Sequence, residues 1–173
     1  MKVAVIGATG FVGRYIVDAL IDAGHAVSLL ARPGSEEKLQ RADAVHVTRG
    51  AVESATAIAA TLEGCDAVIY CIGILREFPR KGVTFEALQY EGVVRTVEAA
   101  INAGVQRFLL MSANGVKSPG TPYQETKKRA EDVVMASGLN ATVFRPSVIF
   151  GDPRGAMEIA TQLYQQMVRP PIP

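Results

Sequence analysis

A phenol and an ammonium stand four residues apart in Tyr123-Gln124-Glu125-Thr126-Lys127. On a helix, positions i and i+4 share a face, so Tyr123 and Lys127 would point together. That pairing suits hydride chemistry. A phenol of ordinary pKa, about 10, is a poor base at neutral pH. A nearby ammonium, and the positive charge of a nicotinamide, would favour the phenolate. Tyr123 could then exchange a proton with a substrate hydroxyl while hydride passes to or from the nicotinamide. Lys127 could also bind the nicotinamide ribose hydroxyls. Eleven residues before the tyrosine, Leu110-Met111-Ser112 ends an apolar run, and Ser112 could hold the same substrate oxygen by a hydrogen bond. A Tyr-x-x-x-Lys spacing by itself also describes a surface pair on an amphipathic helix. Its place one element after a serine-ended strand gives it weight.

The start of the chain points to the other reactant. Lys2-Val3-Ala4-Val5-Ile6 is a short apolar run, followed at once by Gly7-Ala8-Thr9-Gly10-Phe11-Val12-Gly13. Phe11, Val12, Tyr15, Ile16, Ala19 and Leu20 then recur at helical spacing up to Gly24. Strand, glycine turn and helix leave backbone N–H groups at a helix N-terminus, where the dipole favours a phosphate. Gly7 would allow the tight turn, Gly10 the approach of a pyrophosphate, and Gly13 close packing of helix on strand. The plainer alternative is a βα turn that binds nothing. Some twenty residues on, an NAD-specific site usually carries an acid for the ribose 2′-hydroxyl. Here Leu29-Leu30-Ala31-Arg32-Pro33-Gly34 has none, and Arg32 stands at the expected distance. A guanidinium there can pair with a 2′-phosphate, so NADP is favoured over NAD, although a solvated loop arginine is not rare. Arg49-Gly50-Ala51-Val52 should pass beside the adenine, and the backbone of Tyr70-Cys71-Ile72-Gly73-Ile74 beneath the nicotinamide ribose, near Met111.

These residues need a frame, and the hydrophobic pattern supplies one. Apolar runs at Val3–Ile6, Ala26–Leu30, Ala44–Val47, Ala67–Ile72, Phe108–Met111 and Ala141–Phe144 read as strands. Helical stretches are predicted at Phe11–Ala23, Ala55–Leu62, Phe85–Ala103 and Tyr123–Ala136, with only a short helical turn in the polar Ser35–Arg41 segment. Gly24, Gly104 and Gly138 stand where helix C-termini want a left-handed residue. Near-continuous apolar strands alternating with helices imply α/β architecture with a parallel sheet covered on both faces. The expected form is a doubly wound Rossmann fold of strand order 3-2-1-4-5-6, with its ligand beyond the C-terminal ends of strands one, four and five.

At 173 residues, 49 % of them apolar, the composition is that of a globular domain with a sizeable core. A net charge of +1, with Lys and Arg spread along the chain, gives no nucleic-acid footprint. Cys65 and Cys71 lie in or beside apolar stretches and read as small buried thiols, with no metal site implied. His25 and His46 stand alone near strand starts and read as surface or packing residues. No apolar run is long enough for a bilayer, and a first strand beginning at Lys2 leaves no room for a presequence. The expectation is a soluble cytoplasmic protein, with a place at the periphery of a membrane left open.

Taken together, Gly7-x-x-Gly10-x-x-Gly13, Ser112, Tyr123-x-x-x-Lys127 and Arg145-Pro146-Ser147-Val148-Ile149-Phe150-Gly151 resemble the extended or atypical short-chain dehydrogenase/reductase superfamily, of the NAD-dependent epimerase/dehydratase kind. Gly104–Ala113 and Ala130-Glu131 are similar to that family too. Within it the chain looks most like the branch of the nucleotide-binding accessory subunit of respiratory complex I and its bacterial relatives. The resemblance implies that Gly7, Thr9, Gly10, Phe11, Val12 and Gly13 line the pyrophosphate and that Arg32 meets the adenosine ribose or its phosphate. It implies that Cys71, Ile72 and Gly73 flank the nicotinamide ribose, with Pro146 and Val148 beside the nicotinamide. Ser112, Tyr123 and Lys127 would form the triad. Two positions depart from the family pattern. Gln89 stands where many members carry an Asn for a proton relay, and Ala51 where many carry an Asp against adenine.

Extended members continue past the Arg-Pro-Ser stretch into a small substrate domain. Residues 1–151 are therefore expected to form the NAD(P)-binding domain, and 152–173 the start of a truncated C-terminal region. There Ala156, Ile159, Ala160, Leu163, Tyr164 and Met167 fall on one helical face that needs a cover, from its own sheet or from a partner. Two functions follow. One is a NADP-dependent oxidoreductase or epimerase acting on a small-molecule substrate. The other is a non-catalytic NAD(P)H-binding accessory or sensor protein of a complex I-like assembly. A protein partner or a homodimer fits either; a nucleic acid fits neither.

Overall fold

The computed structural model describes residues 1–152. Val3, Ala4, Val5 and Ile6 are all buried, so the first strand is covered on both faces and lies at the centre of a sheet. The strands are β1 (Lys2–Ile6), β2 (Ala26–Ala31), β3 (His46–Arg49), β4 (Ala67–Tyr70), β5 (Arg107–Met111) and β6 (Asn140–Phe144). They form one parallel sheet of order β3-β2-β1-β4-β5-β6. The helices are α1 (Phe11–Asp22), α2 (Ala55–Leu62), α3 (Gly92–Asn102) and α4 (Pro122–Ala136). One core joins Ala4, Ile6, Val68, Tyr70, Phe108 and Leu110 of the sheet to Ile58 and Leu62 of α2, Val93 and Val97 of α3, and Ala130 and Val134 of α4. On the opposite face, Val5, Val27 and Leu29 pack with Val17 of α1.

Registry decides where the site lies. Ile6 is level with Leu30 and Tyr70, Tyr70 with Leu110, and Met111 with Phe144. The residues that leave those strands (Gly7, Cys71 and Ser112) therefore stand along one edge. Local chemistry sets the helices that follow. Thr121 and Gln124 form a reciprocal capping box at the start of α4, and the Ser54 hydroxyl accepts from the Ala57 N–H at the start of α2. Gly24, Gly104 and Gly138 take positive φ at the three predicted helix exits.

The structure differs from the sequence pattern in three places. β3 begins at His46 rather than Ala44, because Ala42–Ala44 forms a 3-10 turn and registry with Ser28–Ala31 is reached only by His46–Arg49. β4 ends at Tyr70, two residues before the end of its apolar run. The long helix predicted from Phe85 opens with a π-helical segment, Glu86–Glu91, before α3, and the Gly92 N–H bonds the Ala87 carbonyl five residues back. Tyr70 explains the wider turn: its hydroxyl donates to the Leu88 carbonyl at 2.5 Å, and a Cβ on Gly92 would stand 2.3 Å from the Tyr70 hydroxyl oxygen. The Ser35–Arg41 segment holds one 3-10 turn, Glu36–Lys38. The apolar stripe from Ala156 to Met167 lies outside the described residues. Among those described, no helix is long and apolar enough to cross a membrane, and no cluster of His, Cys, Asp and Glu could hold a metal ion.

Candidate active site

The glycine turn is built as its spacing predicts. Gly7 has φ +102°, and a Cβ there would lie 2.9 Å from the Ile72 nitrogen, so the turn after β1 is pressed against the chain leaving β4. At Gly13 a Cβ would stand 2.1 Å from the Gly7 carbonyl oxygen. Gly10 is different. Its φ of −77° and ψ of 175° suit any residue, and an added Cβ would meet only the Gly7 oxygen, at 3.3 Å. Gly10 is exposed, and no side chain caps the N-terminus of α1. N–H groups at a helix start with no side-chain cap are what a pyrophosphate would need. Thr9, Phe11 and Val12 are partly exposed around it, and the Phe11 ring packs edge-on against Tyr15 at 5.8 Å.

On the adenosine side, Arg32 is exposed directly after β2. Its carbonyl accepts both the Ser35 N–H (2.9 Å) and the Ser35 hydroxyl (2.6 Å), which fixes the local turn. Arg49, level with Ala31, is paired with Glu36 at 2.8 Å. Ala51 is half-buried. Val52 departs from expectation: it is buried in the core against Gly92, so its side chain does not face a ligand.

The candidate triad converges at the end of β5. Lys127 is 6 % exposed; its Nζ donates to the Met111 carbonyl at 3.1 Å and lies 5.7 Å from the centre of the Tyr123 ring. Phe85 packs edge-on against Tyr123 at 5.6 Å. A Cβ on Gly73 would stand 3.9 Å from the lysine nitrogen, so the chain leaving β4 closes the third side. Ser112 is buried among Lys127, Gln89 and Ile72, and its hydroxyl makes no well-aligned hydrogen bond among the described residues. Burial pushes the Lys127 pKa down to about 8, against the upward pull of Glu131 and then Cys71. Burial also raises the Tyr123 hydroxyl, so the phenol is the resting form and the lysine alone does not convert it to phenolate.

Other predicted residues contribute backbone. The Cys71 thiol donates to the Ile6 carbonyl at 3.3 Å and is pushed up to about 12 by burial, an inert group turned from the site. The alternation of β5 puts the Met111 side chain on the sheet face of Leu109, while its carbonyl anchors Lys127. The Pro146 carbonyl accepts the Asn114 N–H at 2.8 Å, and Val148 is exposed nearby. Tyr15 donates to the Asp152 carbonyl at 2.9 Å, which ties the segment after β6 to α1. Gln89 is 2 % exposed; its amide donates to the Ile74 carbonyl at 2.8 Å and its oxygen accepts from Thr126 at 3.4 Å. It ties the wall of the site together, with its oxygen and one amide N–H engaged. Glu131 and Arg145 form a pair that the sequence pattern does not announce. The place of Glu131 alone was signalled: Tyr123, Lys127 and Glu131 recur every four residues.

Comparison with known proteins agrees with this geometry. A family model described as NAD(P)H-binding matches residues 7–169. A ceramide reductase of Caulobacter vibrioides is 31 % identical over 86 % of this chain and 46 % of its own length. An uncharacterized sugar epimerase of Bacillus subtilis is 30 % identical over 88 % of this chain and 74 % of its own. The 40 kDa subunit of the Neurospora crassa NADH-ubiquinone oxidoreductase is 32 % identical over 85 % and 40 %. The chain thus spans about half the length of most curated relatives it matches. In fold it is similar to the Bordetella bronchiseptica enzyme WbmH in complex with NAD+, with a TM-score of 0.79, 22 % identity and coverage of 96 % of this chain and 62 % of that one. A putative NAD-dependent epimerase/dehydratase from Bacillus halodurans gives a TM-score of 0.77 at 25 % identity, covering 88 % and 72 %. The glycine cradle, the strand order and these matches together establish that the chain belongs to the NAD(P)H-binding family, within the extended short-chain dehydrogenase/reductase and NAD-dependent epimerase-like superfamily.

Proposed function

We propose that the protein is an NADP-dependent oxidoreductase or epimerase whose reaction is carried by Ser112, Tyr123 and Lys127. The observation that carries this reading is the convergence of three groups at the end of β5: the buried Ser112 hydroxyl, the buried Lys127 amine held on the Met111 carbonyl, and the Tyr123 ring 5.7 Å from that amine. The cofactor supplies hydride transfer. Gly7, Gly10 and Gly13 would leave the helix N–H groups open to its pyrophosphate. Arg32 would take the 2′-phosphate, and Gly73 and Lys127 would lie along the nicotinamide ribose. Ser112 would hold the substrate oxygen, and Tyr123 would give or take the proton there. Lys127, when protonated, favours the phenolate and so lowers the cost of that transfer.

Titration with NADPH and NADH tests the cofactor. Tighter binding of NADPH is expected, and Arg32→Ala should remove about 10- to 100-fold of that preference, the worth of a charge-assisted hydrogen bond. Equal affinity for both in wild type would sink the role of Arg32. A second reading, a non-catalytic NAD(P)H-binding accessory protein in a respiratory assembly, is favoured by Gln89, whose amide is engaged structurally where a relay residue would be free. Tyr123→Phe separates the two. In an enzyme it should cut turnover by about 100-fold or more with cofactor affinity kept. A fully active variant would remove Tyr123 from proton transfer.

A further inference from the structure

Behind Lys127, on the side away from Tyr123, lies a carboxylate that the proposed reaction does not use. Glu131 is 4 % exposed, one helical turn beyond Lys127 on the buried face of α4. Arg145, the first residue after β6, grips it with both arms: Nε donates to one carboxylate oxygen at 2.9 Å and a terminal nitrogen to the other. The pair is asymmetric. The Glu131 side chain is 5 % exposed and that of Arg145 is 48 % exposed. Water screens the guanidinium, while the carboxylate sits in the low-dielectric interior beside the lysine. The field the pair sends inward is therefore negative.

We propose that Glu131 is a positioning residue: its carboxylate, clamped by Arg145, keeps the buried Lys127 in the ammonium form on which both ribose binding and phenolate formation depend. The inference rests on the function proposed above. Burial raises the Glu131 carboxyl, but Arg145 and the nearby Ser112 hydroxyl outweigh it and hold the group ionised. The other groups around Lys127 are uncharged at neutral pH, Cys71 included, whose pull on the lysine needs a thiolate. Tyr123 lies on α4 as a neutral phenol, Cys71 at the exit of β4 is a protonated thiol, and Gln89, Thr126 and Ser112 are uncharged. Lys128, on the outer side of α4, is paired with Asp132. Glu131 is thus the ionised acid that opposes the burial of Lys127 at neutral pH.

The test is an NMR titration of the full chain labelled at lysine side chains, from pH 6 to 10, with Lys127 identified by its loss in Lys127→Arg. In Glu131→Gln the Lys127 midpoint should fall by about half a unit or more, and in Glu131→Asp it should stay close to wild type. NADPH affinity of Glu131→Gln, read in parallel, should match wild type near pH 6.5 and weaken several-fold by pH 8.5. An unmoved Lys127 midpoint in a folded Glu131→Gln protein would overturn the proposal and leave the ion pair a structural tie. Should that variant fold poorly, Glu131→Gln/Arg145→Gln removes the stranded guanidinium and is read the same way. Wild-type protein that binds neither NADPH nor NADH would overturn the proposed function, and the lysine titration would still decide the role of Glu131.

Discussion

A buried lysine works against the fold that holds it. The folded pKa of Lys127, about 8, lies below the ordinary value of 10.5. Between those values the unfolded chain binds a proton that the folded chain does not, so stability rises with pH across that window. At neutral pH both forms are protonated, and burial of the charge is a net cost. Lys127→Met should therefore be more stable than wild type at pH 7 and lose that advantage by pH 10.5, a swing of about 3 kcal/mol at most. Urea unfolding at the two pH values measures it, and a constant difference would contradict it. The same variant should lose cofactor affinity. The grouping of these residues was legible: spacing and strand position alone bring Tyr123 and Lys127 together near the end of β5, where the structure places them. Glu131 and Arg145 were not paired, because they are fourteen residues apart and meet only once β6 lies beside β5. The burial of the Val52 side chain was not legible for a similar reason, since it packs in the core close to Gly92, forty residues on.

The strand-turn-helix at the start of the chain separates two jobs that glycine can do. At Gly13 an added methyl would collide with backbone that cannot move away. Gly13→Ala should cost several kcal/mol, in the range of a badly overpacked core, and yield little folded protein. At Gly10 the backbone is ordinary and only one contact is tight. Gly10→Ala should keep the melting temperature within a few degrees and still lose at least about tenfold in dinucleotide affinity. Thermal melts with a cofactor titration check the pair, and a Gly10→Ala protein that binds normally would argue that the cradle is only a turn. Elements of this kind were readable because their glycines sit at fixed offsets from a strand and a helix. The π-helical opening before α3 was not. Apolar periodicity cannot distinguish i+4 from i+5 bonding over a single turn, and the cause, the Tyr70 hydroxyl, comes from a strand sixteen residues earlier.

At the scale of the molecule, strand order followed from the alternation of elements, and the site edge followed from strand order. A ligand that bridges the ends of β1, β4 and β5 adds to the ladder and the shared core that already join them. Bound cofactor at a hundredfold excess over its Kd should add about 2.7 kcal/mol. For a domain of this size that is about 5–10 °C in Tm. A differential scanning experiment with NADPH reads it directly, and no shift at saturation would count against dinucleotide binding. Because every strand runs the same way, the molecule also has a working end and a handling end. Met1 is 63 % exposed, and Lys2 is moored at the far edge, with its backbone N–H on Asp66 and its amine on the Glu63 carbonyl. From there β1 carries the chain about 15 Å, at roughly 3.3 Å per residue, to the glycine turn. A dye or an affinity tag placed at Met1 would thus sit, among the described residues, at the opposite end of the sheet from the cradle.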